Sequence, residues 1–294
     1  MVKKKFKISD EQLKQMYLNG ASLSEIAKVA QDTKGLMALR NKLHELGVDT
    51  HKDMKRYKYK ISKSSRIYTF NENIFRVVDS EEKAYWFGFL CADGYNHETK
   101  NCVALRIQKE DFHHLEKYKN FLNYEGPIYT FTRTTSVNKL VKEYCELNVC
   151  SPIYSEDLAK LGCIQNKTYK LEFPNIPDNL VKHFIRGYFD GDGCVSIRDR
   201  KNRRIRGTSM NVQLNIVGKE SVILEMQNYI VKATNVTRTA LRNKQGNFTK
   251  AISWGGANVV LKILHYLYDN ATIYLDRKYE KYKQLMVSRQ SNLQ

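Results

Sequence analysis

Two acidic residues, Asp93 and Asp192, each stand just before a glycine and just after a short apolar run with one central glycine. The first run is Trp86-Phe87-Gly88-Phe89-Leu90-Cys91-Ala92-Asp93-Gly94. The second is Ile185-Arg186-Gly187-Tyr188-Phe189-Asp190-Gly191-Asp192-Gly193. Carboxylate oxygens are hard donors, and a pair of them suits Mg²⁺, which keeps several of its waters. Together the two aspartates could be presented to one pair of metal ions. One Asp-Gly alone is an ordinary helix exit or turn. Two, each closing an apolar helix, indicate an internal repeat and a shared site. Asp190-Gly191-Asp192-Gly193 is not a calcium loop, which needs its glycine after three alternating oxygen ligands and a glutamate beyond.

The elements that must position this pair are two helices packed side by side. Ala84, Gly88 and Ala92 recur every four residues and line one helical face, as do Gly187 and Gly191. Small residues at this spacing let helix axes approach more closely than the usual ~8–10 Å. Asp93 and Asp192 then lie at the carboxyl ends of their helices. The dipole disfavours an anion there by about 0.3–1 kcal/mol, and two adjacent carboxylates repel each other. Divalent cations with phosphate oxygens offset both.

Around these helices each half reads α-β-β-α-β-β-α, an α+β layer used twice. In the first half Val103–Gln108 alternates as a strand, Glu110–Leu122 is helical, and Ile128–Arg133 pairs with Tyr144–Val149 across a loop. Ser151–Leu161 is a helix closed by Gly162. In the second half Cys194–Arg198, Met210–Ile216, Thr237–Arg242 and Phe248–Trp254 read as strands. Lys219–Val231, Asn258–Tyr268 and Tyr274–Val287 read as helices. The expected domains are 1–50, a helix-turn-helix module; 51–70, a basic linker; 71–174, the first half; and 175–294, the second half. In the module Ser9 is an N-cap with Gln12 three residues on, Ser22 caps a second helix, and Gly35–Leu46 forms a third with Leu36, Leu39, Leu43 and Leu46 inward. Its outward Arg40 and Asn41 suit base edges, and Lys42 suits phosphate.

The 294 residues carry a net charge of +18, spread along the chain, with 19 tyrosines. That balance points to a polyanion, most often nucleic acid. Hydrophobic residues at 42% exclude global disorder. No apolar run reaches membrane-spanning length, and no apolar segment follows the charged amino terminus as in a secretory signal. The six cysteines form no CxxC pair and read as buried thiols of a reducing compartment rather than disulfides or a zinc site. A cytoplasmic protein is expected. Trp86 and Tyr129 read as core aromatics.

The two motif runs resemble the paired motif of LAGLIDADG homing endonucleases, over about residues 70–290. The helix-turn-helix resembles the accessory DNA-binding module of some members. The resemblance implies a pseudo-symmetric monomer whose motif helices form the interface and whose Asp93 and Asp192 bind the metals. Backbone carbonyls of Ala92 and Gly191 would assist. Cys91 stands where the family often has Asp, at a position that is not its metal ligand. Each half would lay a saddle of antiparallel strands in the DNA major groove. Gln108, followed by Lys109, matches the family's polar residue near a strand end. The second half has Gly218 before Lys219, an asymmetry. Lys167 and Lys278 match the lysines that add positive charge near the phosphate. Arg133, Arg198, Arg204, Arg206, Arg238, Arg242 and Lys244 are candidate DNA contacts. The implied activity is Mg²⁺-dependent cleavage, with Mn²⁺ as a substitute, of a long asymmetric double-stranded DNA site, leaving short 3′ overhangs. The alternative is a catalytically inactive DNA-binding regulator or RNA-splicing maturase on the same fold. Retention of both Asp93 and Asp192 favours the nuclease, free-standing or intron-encoded.

Overall fold

A computed structural model describes residues 7–19, 21, 23–30, 36–48, 67–134, 140–165, 167–202, 207–244 and 249–290. The chain divides into two compact units, Met1–Arg66 and Ile67–Gln294. The linker expected over 51–70 and the Ser22 cap lie almost wholly outside the described residues.

In the first unit, helices α1 (Asp10–Leu18), α2 (Leu23–Val29) and α3 (Leu36–Glu45) enclose Leu13, Ile26, Leu39, Leu43 and Val48. Ser9 caps α1 in a reciprocal capping box with Gln12. Leu36 is not inward as expected. It opens α3, a turn before Leu39, and is 38% exposed. Asn41 is exposed on α3, and Lys42 reaches back to pair with Asp10 at 2.8 Å.

The second unit is built on α4 (Glu81–Asp93) and α8 (Asp178–Asp192). Ser80 caps α4, and Glu81 and Glu82 occupy its first turn, where the dipole favours acids. Every residue from Ala84 to Ala92 is buried, so this stretch of α4 has no solvent face and lies within the core. Trp86, Tyr85, Phe87 and Phe89 are among the largest fully buried side chains. Each such side chain contributes about 1.5–3 kcal/mol when withdrawn from water.

Each seam helix runs straight into a four-stranded antiparallel sheet. The first contains β1 (Gly94–His97), β2 (Cys102–Gln108), β3 (Tyr129–Thr134) and β4 (Val141–Cys150) in the order β1-β2-β4-β3. The second contains β5 (Gly193–Asn202), β6 (Gly207–Lys219), β7 (Arg242–Asn243) and β8 (Thr249–Gly255) in the same order, β5-β6-β8-β7. Helices α5 (Phe112–Phe121), α6 (Pro152–Lys160) and α7 (Lys167–Lys170) belong to the first half. Helices α9 (Glu220–Thr234), α10 (Ala257–Tyr268) and α11 (Asp276–Gln290) belong to the second. The repeated order is the α+β architecture read from sequence.

Several local expectations change. Thr237–Leu241 is not a strand. The Thr237 carbonyl accepts the Trp254 indole N–H at 3.0 Å and the Thr239 carbonyl accepts the Gln227 amide at 2.9 Å, so side chains take the place of a ladder. Tyr129 is 56% exposed on the outer face of β3, not in the core. The cysteines are not uniformly buried thiols. Cys102 and Cys150 stand directly opposite each other on β2 and β4 and form a disulfide, Cys194 is exposed, and only Cys91, Cys145 and Cys163 are buried. The disulfide removes the composition argument for a reducing compartment. Among the described residues no helix is long and apolar enough to cross a membrane.

Candidate metal centre and nucleic-acid interface

The seam is as close as its small residues allow. A Cβ on Gly88 would lie 2.1 Å from the Phe184 carbonyl oxygen, and one on Gly187 would lie 1.9 Å from that of Tyr85. One on Gly191 would lie 2.3 Å from the Ala92 Cβ and 3.3 Å from an Asp93 carboxylate oxygen. Asp93 and Asp192 therefore end their helices side by side across the seam.

Both aspartates keep solvent-exposed surface, yet protein crowds their carboxyl groups. This burial pushes Asp93 up to about 6, reinforced by the charge of Asp192 and opposed by Lys167, Lys278 and Arg277. Burial raises Asp192 too, against the pull of the same two lysines. No hydrogen-bond donor among the described residues meets either carboxylate.

The lysines donate elsewhere. Lys167 reaches the Leu90 carbonyl at 2.7 Å and that of Gly94 at the end of α4. Lys278, 2% exposed, reaches the carbonyls of Phe189 (2.5 Å), Asp190 (2.7 Å), Gly191 (3.4 Å) and Gly193 (2.6 Å) at the end of α8. Each cation satisfies last-turn carbonyls and opposes the negative end of a dipole. Burial, with the nearby Arg277 charge, pulls Lys278 down to about 8. The lysines thus supply positive potential beside the carboxylates while leaving their oxygens open.

Sheet register gives a residue that sequence spacing misses. Gly94 pairs with Leu105 and Gly193 with Ile216. Advancing equally along β2 and β6 leads to Gln108 and Lys219, so the counterpart of Gln108 is Lys219 rather than Gly218. Gln108 is exposed opposite Tyr144. Lys219 pairs with Glu172 and lines a cavity of about 220 Å³ together with Cys91, Lys167, Tyr188, Asp192 and Thr249.

The candidate DNA contacts divide into groups. Arg133 on β3, Arg198 on β5, Arg242 on β7 and Lys244 just beyond it are exposed. Arg238 is turned away from them, because its guanidinium bonds to Gln227, at 3.2 Å, and to Asn228 of α9. Arg204 and Arg206 lie outside the described residues. On the first sheet Arg106 is held by Glu146 at 2.7 Å and Lys109 by Glu143 at 3.1 Å.

Residues 179–247, which include most of α8 with Asp192 and the strands β5, β6 and β7, match the family model described as LAGLIDADG-like domain. A curated relative, the reverse gyrase of Methanocaldococcus jannaschii, is 23% identical over 167 residues, 56% of this chain. The chain spans only 9% of that relative's length. Among solved structures, the I-LtrWI LAGLIDADG homing endonuclease bound to target DNA is 14% identical with a TM-score of 0.48. It matches 72% of this chain and 92% of its own. The LAGLIDADG meganuclease I-AabMI bound to uncleaved DNA is 14% identical with a TM-score of 0.47, over 71% and 92%. I-SmaMI bound to an uncleaved DNA target with calcium ions is 12% identical with a TM-score of 0.46, over 73% and 93%.

Proposed function

We propose that this protein is a site-specific endonuclease of the homing type that hydrolyses both strands of a long, asymmetric DNA duplex with Mg²⁺. The observation that carries the reading is the Asp93–Asp192 pair. Two carboxylates from equivalent helices, crowded by protein on residues that still reach solvent, stand side by side with raised affinity for protons, no donor among the described residues, and a lysine behind each.

That arrangement fits a divalent cation. Among the described residues no cluster of three or more His, Cys, Asp or Glu could hold one. The chain offers two carboxylates, with the carbonyls of Ala92 and Gly191 nearby, so remaining ligands would be water and phosphate oxygens, as Mg²⁺ prefers. Bound there, the cation would supply a water of lowered pKa and Lewis acidity at the phosphodiester. The protein's own part is positional and electrostatic. The glycine seam sets the carboxylate spacing, and Lys167 and Lys278 hold positive charge where the phosphate becomes more negative. Gln108 and Lys219, at equivalent register positions, would orient water around the reacting phosphate in the two halves.

The two sheets support DNA contact, since antiparallel strands fit the major groove and exposed cations supply the phosphate term. Residues 1–50 would add contacts through Arg40, Asn41 and Lys42. Both halves of the site lie in one chain, so the monomer would be the active form.

The test is a pool of random duplexes incubated with the protein with and without Mg²⁺, sequencing the ends produced. Recurrent double-strand ends with 3′ overhangs are expected only with the metal. Asp93→Asn and Asp192→Asn should abolish them and leave binding intact. Binding without cleavage by the unaltered protein would instead leave a DNA-binding regulator. Deleting residues 1–50 should weaken affinity and shorten the footprint while the cut positions stay the same.

A further inference from the structure

The two lysines at the ends of the seam helices are held in different ways, although their halves share one topology. Just before α11, three backbone groups in sequence are fastened by side chains of the seam helices. The Thr272 N–H donates to Glu81 of α4 at 2.9 Å. The Ile273 carbonyl accepts Arg186 Nε of α8 at 2.9 Å. The Leu275 N–H donates to Asp190 of α8 at 2.8 Å. The Leu275 carbonyl then accepts the backbone N–H of Lys278 at 3.0 Å. A single residue therefore joins the Asp190 carboxylate to the backbone that carries Lys278.

Arg186 and Asp190 are 0% exposed and fully engaged. Arg186 also meets Glu81 at 2.6 Å and the Leu267 carbonyl at 3.1 Å, while Asp190 also accepts the hydroxyls of Tyr85 (2.8 Å) and Tyr268 (2.5 Å). Buried charges cost several kcal/mol unless paired and hydrogen-bonded, so such a network has one low-energy arrangement. In the first half Cys91 occupies the place of Asp190. The segment before α7 ties instead to its own half, with the Cys163 carbonyl on Asn96 and the Gln165 N–H on Glu98, both at 2.9 Å. Among the described residues its ties to the seam are thiol contacts, Cys163 with the Cys91 thiol and with the Leu90 carbonyl at 3.7 Å, and no ion pair.

We propose that Asp190, Arg186 and Glu81 are positioning residues for Lys278, so that the second half's lysine is set by a rigid ionic network with no counterpart among the described residues of the first half. The consequence for cleavage rests on the nuclease reading above; the placement of Lys278 does not. Disturbing the network should displace one lysine and slow the cut on one strand, because misplacement by an ångström costs a reacting group about a hundredfold.

Two measurements test this on the full chain carrying Asp190→Asn or the milder Glu81→Gln. The first is acetylation by acetic anhydride, read residue by residue by mass spectrometry. Lys278 is protected in the unaltered protein, and its labelling should rise about tenfold in Asp190→Asn while Lys167 changes less than about twofold. The second uses a plasmid bearing a duplex that the unaltered protein cuts, selected from the random pool. Asp190→Asn should accumulate nicked circle, with the slow strand the one that Lys278→Ala also slows, and Glu81→Gln should show the same bias more weakly. Unchanged Lys278 protection in both variants, equal rises at Lys167 and Lys278, or equal slowing of both strands would overturn the proposal. If no duplex in the pool is cut, the nuclease reading fails and the labelling still decides the positioning.

Discussion

The Gly187 α-carbon packs so closely on Tyr85 that a Cβ there would stand 1.9 Å from the Tyr85 carbonyl oxygen. The obstructing atom is backbone, so no side chain can swing aside, and an added methyl must part α4 from α8. Gly187→Ala is expected to lose about 3 kcal/mol or more, at the upper end of overpacking costs. Gly255→Ala is the control, because the nearest atom to its Cβ is at 4.0 Å. It should stay within about 0.5 kcal/mol of the unaltered protein. Urea denaturation of the two variants makes the comparison, and equal stabilities would refute a close seam.

The disulfide between Cys102 and Cys150 closes a loop with a sequence separation of 48. In the chain-entropy account a loop of that size contributes about 4 kcal/mol. Thiol titration of the denatured, unreduced protein should find four free thiols, those of Cys91, Cys145, Cys163 and Cys194. Reductant should lower the denaturation midpoint of the unaltered protein and leave Cys102→Ser/Cys150→Ser unmoved. Finding six free thiols before reduction would show that the two strands meet without a covalent bond.

The seam was legible because its signal is local. Ala84, Gly88 and Ala92, and Gly187 and Gly191, need only helical periodicity to be placed on one face, and an Asp-Gly closes each run. What depends on register was not. The opposition of Cys102 and Cys150 follows from β2–β4 pairing across the intervening α5 and β3, and no spacing rule gives it. Sequence spacing sets Gly218 against Gln108, whereas the Gly193–Ile216 pairing makes Lys219 its counterpart. Strand β1 spans four residues, too few for alternation to show. Asp190 sat in plain view beside Asp192, but its partners Tyr85, Tyr268 and Leu275 come from distant stretches that only the fold assembles.

His114 is 1% exposed, and burial drives it down from its usual value near 6.5 to about 3. Its Nε2 lies 3.0 Å from the Tyr85 hydroxyl, whose own hydrogen goes to Asp190, so the imidazole is neutral with its proton on Nε2. The unfolded chain binds a proton at His114 below pH 6.5 and the folded chain does not. Stability is therefore complete above 6.5 and falls as pH drops from there toward 3. By pH 5 this group alone should cost about 2 kcal/mol. His183, lowered to about 4, acts in the same direction. His114→Phe should reduce the loss between pH 7 and pH 5 by about that 2 kcal/mol, measured by urea denaturation at both values. An unchanged pH slope would show that His114 is protonated in the folded protein.

The exposed faces of the two sheets differ in how much of their polar surface is already spent. On the first, Glu146 holds Arg106, whose guanidinium lies 5.0 Å over the Phe131 ring. On the second, Asn211 and Gln213 are exposed with no polar partner among the described residues, and Arg198 stands directly opposite Asn211. Amides bind adenine edges bidentately, and a lost contact of that kind costs about 1–3 kcal/mol. Asn211→Ala and Gln213→Ala should relax base preference within one half-site and leave the salt dependence of binding unchanged. Glu146→Gln should do the opposite. Freed from its carboxylate, Arg106 can meet a phosphate, which tightens binding to all sequences and steepens the slope of log affinity against log salt by about 0.9. Equilibrium binding of the selected duplex at several salt concentrations separates the two effects. If Glu146→Gln leaves the slope unchanged, the first sheet's outer face does not reach the DNA backbone at Arg106.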